Sequence, residues 1–315
     1  MTAALWPEEY EAFRAEARDM ASTIAELYGV ESMGGGAATA GDPAARLAAQ
    51  RAGLASLEQL SPAGRDESIA GVPCRVFDGD PAVGTYLHFH GGAMIMGSPR
   101  MNDVGNAEVA AAHGVRVVSV DYRLAPEHPS PAGSDDCLAV ARAELDQSDG
   151  PIVVGGESAG GYYAARTALR VRDELGAIDR VAGANLVFGV YDLSGTPSNI
   201  AGRPSDVPDI LDGSGMASLV AAFLPGRTVL EARDPACSPL YADLAGLPPA
   251  LFTVGHADHL LDDSLFMAAR WRAFGNDAEL AVYPDCIHGF TGFPMELATR
   301  ANQRIAAFLA RCFAG

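Results

Sequence analysis

The sequence predicts an α/β chain built around a mostly parallel sheet, and three observations carry that expectation. Short apolar runs alternate with helix-periodic segments over about 240 residues, the pattern of repeated strand–helix–strand units. The runs are rich in β-branched residues and alternate only weakly, which suits strands covered on both faces. Of 315 residues, 49% are hydrophobic and 20% charged, so the chain carries the apolar material for a large core and is neither disordered nor collagen-like.

The elements follow in order. Residues 8–28 bring Tyr10, Phe13, Ala17, Met20, Ile24 and Leu27 round at helical spacing. Gly34-Gly35-Gly36 interrupts that pattern, and a shorter helix is expected near 43–54. Neither segment needs a sheet, so together they form an accessory helical layer. Strands are expected at 69–78, 84–90, 115–120, 152–155, 184–188, 250–254 and 279–283. Helices are expected between and after them at 102–113, 135–146, 159–174, 262–274 and 295–313. Residues 194–235 break the rhythm, with five prolines and at most small helices such as 215–223. That stretch is too long for an ordinary loop. It is either a surface excursion or a lid over the strand ends, and the motif residues that bracket it favour the lid.

Charge and cysteine content exclude several roles. Twenty-two Lys and Arg stand against 40 Asp and Glu, a formal charge of −18 without a basic cluster. Such a chain is a poor ligand for nucleic acid or anionic lipid. No apolar run approaches about 20 residues, so neither a membrane span nor a signal peptide is indicated, and a cytoplasmic protein is expected. The five cysteines, 74, 137, 237, 286 and 312, are odd in number and widely spaced, which reads as reduced thiols instead of disulfides or a zinc site.

The chemistry is concentrated in a few short motifs. Gly156-Glu157-Ser158-Ala159-Gly160-Gly161 follows the apolar run 152–154 and precedes a helix. A GxSxG turn between strand and helix must be tight, and its glycines make room where a Cβ would crowd the backbone. The turn projects the Ser158 hydroxyl above the sheet and puts the Ala159 amide at a helix N-terminus, where negative charge is favoured. His90-Gly91-Gly92-Ala93 follows another strand, and its amides can turn inward to meet an oxyanion from the opposite side. By itself it would read as a glycine turn with a core-facing His90. One such donor is worth about 3 kcal/mol in a transition state.

A serine needs a base. In elbow-type hydrolases the acid and then the histidine follow the serine along the chain, which leaves His256, His259 and His288 of seven histidines. His288 lies in the loop-like stretch 284–290 after a strand, and Asp258 lies just past the strand 250–254. Sites of open α/β sheets collect at such positions. Asp262, Asp263 and Asp285 are alternative acids, although the first two are expected to open a helix. His256-Ala257-Asp258-His259 is not a metal-ligand spacing, so neither metal nor cofactor is expected.

Taken together, His90–Ala93, Gly156–Gly161, Asp258 and His288 resemble the hormone-sensitive-lipase-like branch of the α/β-hydrolase esterases. So do the segment Asp121-Tyr122-Arg123-Leu124-Ala125-Pro126-Glu127-His128-Pro129 and the run Asp258-His259-Leu260-Leu261-Asp262. The resemblance spans residues 70–310 or so. It implies an α/β-hydrolase fold, with a central mostly parallel sheet flanked by helices and a helical cap. The cap would combine residues 1–55 with the insertion 194–235, and 56–315 would form the catalytic domain. It implies Ser158, Asp258 and His288 as the triad, with oxyanion donors at the Gly91, Gly92 and Ala159 amides. His90, Glu157, Asp121 and Tyr122, with Arg123, would be supporting residues, and Glu157 would help position the acid loop.

Three departures stand out. Ala93 replaces the third glycine of the family's HGGG, His259 replaces a proline and is expected to loosen the acid loop, and residues 188–193 lack the usual Pro-Trp or Ser-Pro. The activity implied is hydrolysis of short- to medium-chain neutral esters by a small-molecule esterase that needs no cofactor. A lactone hydrolase, an acyltransferase or amidase, and a non-catalytic small-molecule receptor are the alternatives. A homodimer is expected on the resemblance alone.

Overall fold

A computed structural model of the chain describes residues 5–28, 42–80, 82–203, 205–211 and 213–314; the expected break at Gly34-Gly35-Gly36 lies outside them. Among the described residues eight strands form one sheet: β1 (Arg65–Ile69), β2 (Val72–Phe77), β3 (Thr85–Phe89), β4 (Arg116–Val120), β5 (Ile152–Glu157), β6 (Val181–Val187), β7 (Ala250–Gly255) and β8 (Ala278–Tyr283). Their order is β1-β2-β4-β3-β5-β6-β7-β8, with the β1–β2 and β2–β4 pairings antiparallel and the pairings from β4 through β8 parallel.

The strand expected at 69–78 is β2 over Val72–Phe77, and it is the second arm of a hairpin whose first arm, β1, was not expected. Ala70 at φ 51° and Gly71 at φ 82° make a two-residue turn between Ile69 and Val72. Two successive positive φ values are what a two-residue hairpin needs, and Ala70 hides the signal because alanine rarely takes them.

The helices are α1 (Arg14–Tyr28), α2 (Pro43–Ala55), α3 (Asp103–His113), α4 (Ala132–Gln147), α5 (Ala159–Arg170), α6 (Pro197–Ile200), α7 (Gly213–Phe223), α8 (Val229–Ala232), α9 (Leu261–Ala273) and α10 (Glu296–Ala314). A 3-10 turn, Glu8–Phe13, leads into α1. The helix expected over 159–174 changes character at its end, where Val171–Leu175 widens into a π-type turn that stops at Gly176 with φ 63°.

Alternate residues of the strands feed two different cores, the consequence of side chains pointing to opposite faces. Val117, Val153 and Leu251 pack with α3 and α10, whereas their neighbours Val118, Val154 and Phe252 pack with α4, α5 and α9. A third, smaller cluster joins Ala21 and Ile24 of α1 to Val207 of the insertion, Ala257 and Ile287. Residues 257 and 287 belong to the loops after β7 and β8, so the accessory segments pack directly behind those loops. In α2, Arg51 donates to the Ile95 and Ala125 carbonyls at 2.8 and 2.9 Å, which seats that helix on the segment following β3.

Candidate active site

The serine turn is shaped by backbone packing. β5 runs into Ser158, whose φ 57° and ψ −117° belong to neither strand nor helix. A non-glycine residue held there stores about 1–3 kcal/mol of strain. Its surroundings leave no alternative. A Cβ on Gly156 would come 2.1 Å from the Phe89 carbonyl oxygen, and one on Gly160 would come 1.8 Å from the same atom. The end of β3 is therefore in backbone contact with the turn, and the Ser158 amide donates to the Val187 carbonyl of β6 at 2.9 Å. α5 then begins at Ala159, so that the Ala159 amide lies in its first turn.

The chain segment after β3 comes to the same place. Gly91 is so close that a Cβ on it would lie 3.7 Å from the Ser158 Cβ. Gly92 has φ 117°, and Ala93 and Met94 follow at φ 55° and 62°. Ala93 thus adopts the left-handed conformation that a glycine would take freely, at a local strain of about 1–2 kcal/mol. Among the described residues the Gly91 and Gly92 amides donate to no protein acceptor.

His90 is wholly buried, stacks on Tyr122 at 4.2 Å and points its Nδ1 at the Gly91 carbonyl, 2.7 Å away. Burial pushes its pKa down to about 3, so it stays neutral and braces the turn. The Tyr122 hydroxyl donates to the His90 carbonyl at 2.6 Å. Asp121 ties the segment to the Pro73 carbonyl through its amide, and Arg123 pairs with Asp136 at 2.9 Å, both away from Ser158. Glu157 departs from its expected role. Its carboxylate faces the His88 Nε2 at 3.1 Å, and His88 in turn meets Ser119 at 2.8 Å, so Glu157 serves the β3–β4 side and not the acid loop.

His288 and Asp258 complete the arrangement. The His288 Nε2 lies 2.9 Å from the Ser158 Oγ, and its Nδ1 lies 2.9 Å from the Asp258 Oδ2. Asp258 is fully buried, and its Oδ1 accepts the Leu260 amide at 2.7 Å. An ionised carboxylate only accepts, so Nδ1 carries the proton and Nε2 is free to accept from the serine hydroxyl. Burial works against an imidazolium at His288, but the charge and hydrogen bond of Asp258 outweigh it, with a smaller contribution from Asp209, and the pKa rises.

The alternative acids are engaged elsewhere. Asp262 accepts the Ser198 amide at 2.7 Å. Asp263 accepts the Tyr191 and Asp192 amides and the Thr196 hydroxyl, while burial pushes its pKa up to about 7. Asp285 takes Arg14 and Arg18, each at 2.8 Å; burial raises its pKa, and the two guanidiniums more than reverse that. Among the described residues no group of three or more His, Cys, Asp or Glu side chains could hold a metal ion.

The His259 loop is not loosened. His259 donates its amide and Nδ1 to Asp209 at 3.2 and 2.9 Å, and the His259 carbonyl accepts from Ser198. Asp209 and the Arg14–Arg18 pair were not visible in the sequence, because no local motif marks them.

A cavity of about 250 Å³ opens on Ser158 and His288, walled by Leu54 of α2, Ile210, Leu211 and Leu219 of the insertion, Met96 and Phe188. A recess of about 20 Å³ beside Ser158 and Ala159 is lined by Leu193, Val220, Phe223 and Leu260.

A family profile described as alpha/beta hydrolase fold matches residues 86–292. Carboxylesterase NlhH of Mycobacterium tuberculosis is 34% identical over 267 residues, covering 78% of this chain and 80% of that protein. A hormone-sensitive lipase from a metagenome library superimposes with a TM-score of 0.80 at 30% identity, covering 94% of this chain and 98% of that one. EstE5, in crystals soaked with p-nitrophenyl butyrate, superimposes with a TM-score of 0.76 at 27% identity, covering 94% and 99%. The chain therefore belongs to the α/β-hydrolase-fold family, among its hormone-sensitive-lipase-like carboxylic ester hydrolases.

Proposed function

We propose that this carboxylic ester hydrolase works through Ser158, His288 and Asp258 on short- to medium-chain neutral esters. The observation that carries the reading is the hydrogen-bond chain from Ser158 through His288 to buried Asp258, at 2.9 Å on each side, at the foot of an apolar cavity. His288 takes the hydroxyl proton as Ser158 attacks the ester carbonyl, and Asp258 stabilises the imidazolium that forms. The oxyanion develops against the Gly91, Gly92 and Ala159 amides. His288 then protonates the leaving alkoxide, and a water activated by the same histidine releases the acid.

Residues 1–55 and 194–235 act as one cap on the catalytic domain 56–315, a division supported by Leu54, Ile210, Leu211 and Leu219 all walling the cavity. The small recess at Phe223 and Leu260 favours a short acyl group. No helix among the described residues is long and apolar enough to cross a membrane. The five cysteines are all buried and unbridged, which supports a cytoplasmic setting. The homodimer is carried as a further proposal, checked by light scattering.

Ser158→Ala is expected to lower hydrolysis of p-nitrophenyl butyrate by more than about 10⁴-fold while the circular-dichroism spectrum is unchanged. Persistent hydrolysis would remove Ser158 as nucleophile. Rates across acyl lengths C2 to C12 should peak at the short end, and a parallel lactone panel should run slower; the reverse order would make the protein a lactonase.

A further inference from the structure

Asp209 lies in the insertion, 30 or more residues from any catalytic motif, yet it meets both loops of the site. Its side chain is fully buried. One oxygen accepts the His288 amide at 3.1 Å, and the other accepts the His259 amide at 3.2 Å and the His259 Nδ1 at 2.9 Å. Three donors converge on this carboxylate, and two are backbone amides of the loops that carry the proposed base and acid. Burying a carboxylate without partners is strongly unfavourable, so the contacts hold together as a set. Val207, two residues earlier, packs with Ile287 and Ala257, the residues just before His288 and Asp258. Ile210 and Leu211, the next two, wall the cavity above Ser158.

We propose that Asp209 is a positioning residue for the hydrolytic reaction: seated in the cap, it holds the His288 loop and the acid loop in mutual register, so the base is assembled only when the insertion is docked. The proposal rests on the triad reading given above. His259 is the second half of the device, because its ring supplies one of the three donors to the Asp209 carboxylate. The expected leverage is geometric: an error of about 1 Å in the imidazole position is enough to reduce a rate by roughly 10²-fold.

The surrounding charges are Asp258 and His256 on the acid loop, Arg203 and Asp206 on the insertion, and Asp285 with Arg14 and Arg18 behind the His288 loop. Asp209 raises the His288 pKa from this ring of charges. Neutralising it therefore lowers that pKa. The unprotonated base then persists to lower pH, and the acid limb of the activity profile moves down.

The test compares Asp209→Asn with Asp206→Asn, the neighbouring acid whose Arg18 contact is exposed, using p-nitrophenyl butyrate from pH 4 to 9 with thermal melting in parallel. For Asp209→Asn the expected result is a 10- to 100-fold lower kcat with KM within about twofold, and an acid limb shifted to lower pH. Asp206→Asn should stay within about twofold of the wild type. If Asp209→Asn melts below the assay temperature, His259→Gln, which leaves the carboxylate on the His288 amide but removes the ring donor, should still lower kcat by about threefold or more. An unchanged kcat in whichever variant is folded, a loss carried by KM alone, or an equal loss in Asp206→Asn would overturn the proposal. Failure of the triad reading is separate: it would show as activity surviving Ser158→Ala, whatever Asp209→Asn does.

Discussion

The two halves of the site are built in opposite ways. The serine turn and the glycine segment are held by backbone against backbone: Gly156 and Gly160 press on the Phe89 carbonyl, and the Ser158 amide binds Val187. The His288 and Asp258 loops are held by side chains from the cap: Arg14 and Arg18 of the N-terminal segment grip Asp285, and Asp209 of the insertion grips His259 and His288. The proposed nucleophile is thus held by the sheet, whereas the proposed base is held by the sheet together with the accessory segments. A cap that moves would leave the serine turn intact and disturb only the histidine.

The comparison can be broken most severely on the backbone side. Gly160→Ala puts a Cβ 1.8 Å from a carbonyl oxygen that cannot swing away. We expect a loss of more than about 3 kcal/mol in urea unfolding, or no soluble protein. A stable Gly160→Ala protein would mean that the turn is not held as described.

Next is Asp258→Asn, expected to reduce kcat by about 10³- to 10⁴-fold without loss of fold. Because Asp258 raises the His288 pKa, its neutralisation also moves any residual acid limb to lower pH. Asp262→Asn should lose far less activity, since its carboxylate holds the Ser198 amide and not His288 among the described residues. The opposite order of losses would reassign the acid.

A milder effect is expected from the double replacement Arg14→Ala and Arg18→Ala. It leaves Asp285 buried without a counter-charge and should lower kcat by about three- to tenfold, while labelling of Ser158 by a sulfonyl fluoride falls in parallel. The same pair gives a pH signature. The Asp285 pKa is lowered in the folded protein, so its stabilising contribution is present above the ordinary carboxylate range and is lost as pH falls through the depressed value. Melting temperature should therefore drop more steeply with acid in the wild type than in the double variant. Equal slopes would detach α1 from the catalytic loop.

The smallest effect sharpens the backbone half. Ala93→Gly should stabilise the protein by about 0.5 kcal/mol, the relief of a left-handed alanine less the added freedom of the unfolded chain. Its kcat should be unchanged, because the backbone already holds the left-handed conformation that a glycine favours. A fall in kcat would show that the Ala93 methyl has a role against the substrate.

Legibility in the sequence followed the same division. Ser158, Gly91, Gly92 and Ala159 were readable because a strained turn forces glycine at fixed short offsets. Asp258 and His288 were readable because they sit just past strands in the order that elbow hydrolases require. Glu157 was readable as a residue of the turn but not in its direction, since which side it faces depends on His88, 69 positions away. The β1–β2 hairpin was missed because Ala70 masks a turn that Asn or Gly would have announced. The supports of the base were missed for a plainer reason: Asp209 reaches His288 across 79 positions and Arg14 reaches Asp285 across 271, with no periodicity between them.

By itself, then, the sequence determined the parallel strands, the two-faced core and the strand–turn–helix context of Ser158. Strand period, apolar runs and glycine spacing are local consequences of backbone sterics and burial, and they leave local marks. Only the tertiary structure decided which acid meets His288, which way Glu157 points, and that His259 is tethered to Asp209. Each of those outcomes is set by a hydrogen bond or ion pair between segments far apart in the chain. The energy of such a contact depends on where the partner's side chain lies in space, and no residue type or spacing encodes that position in advance.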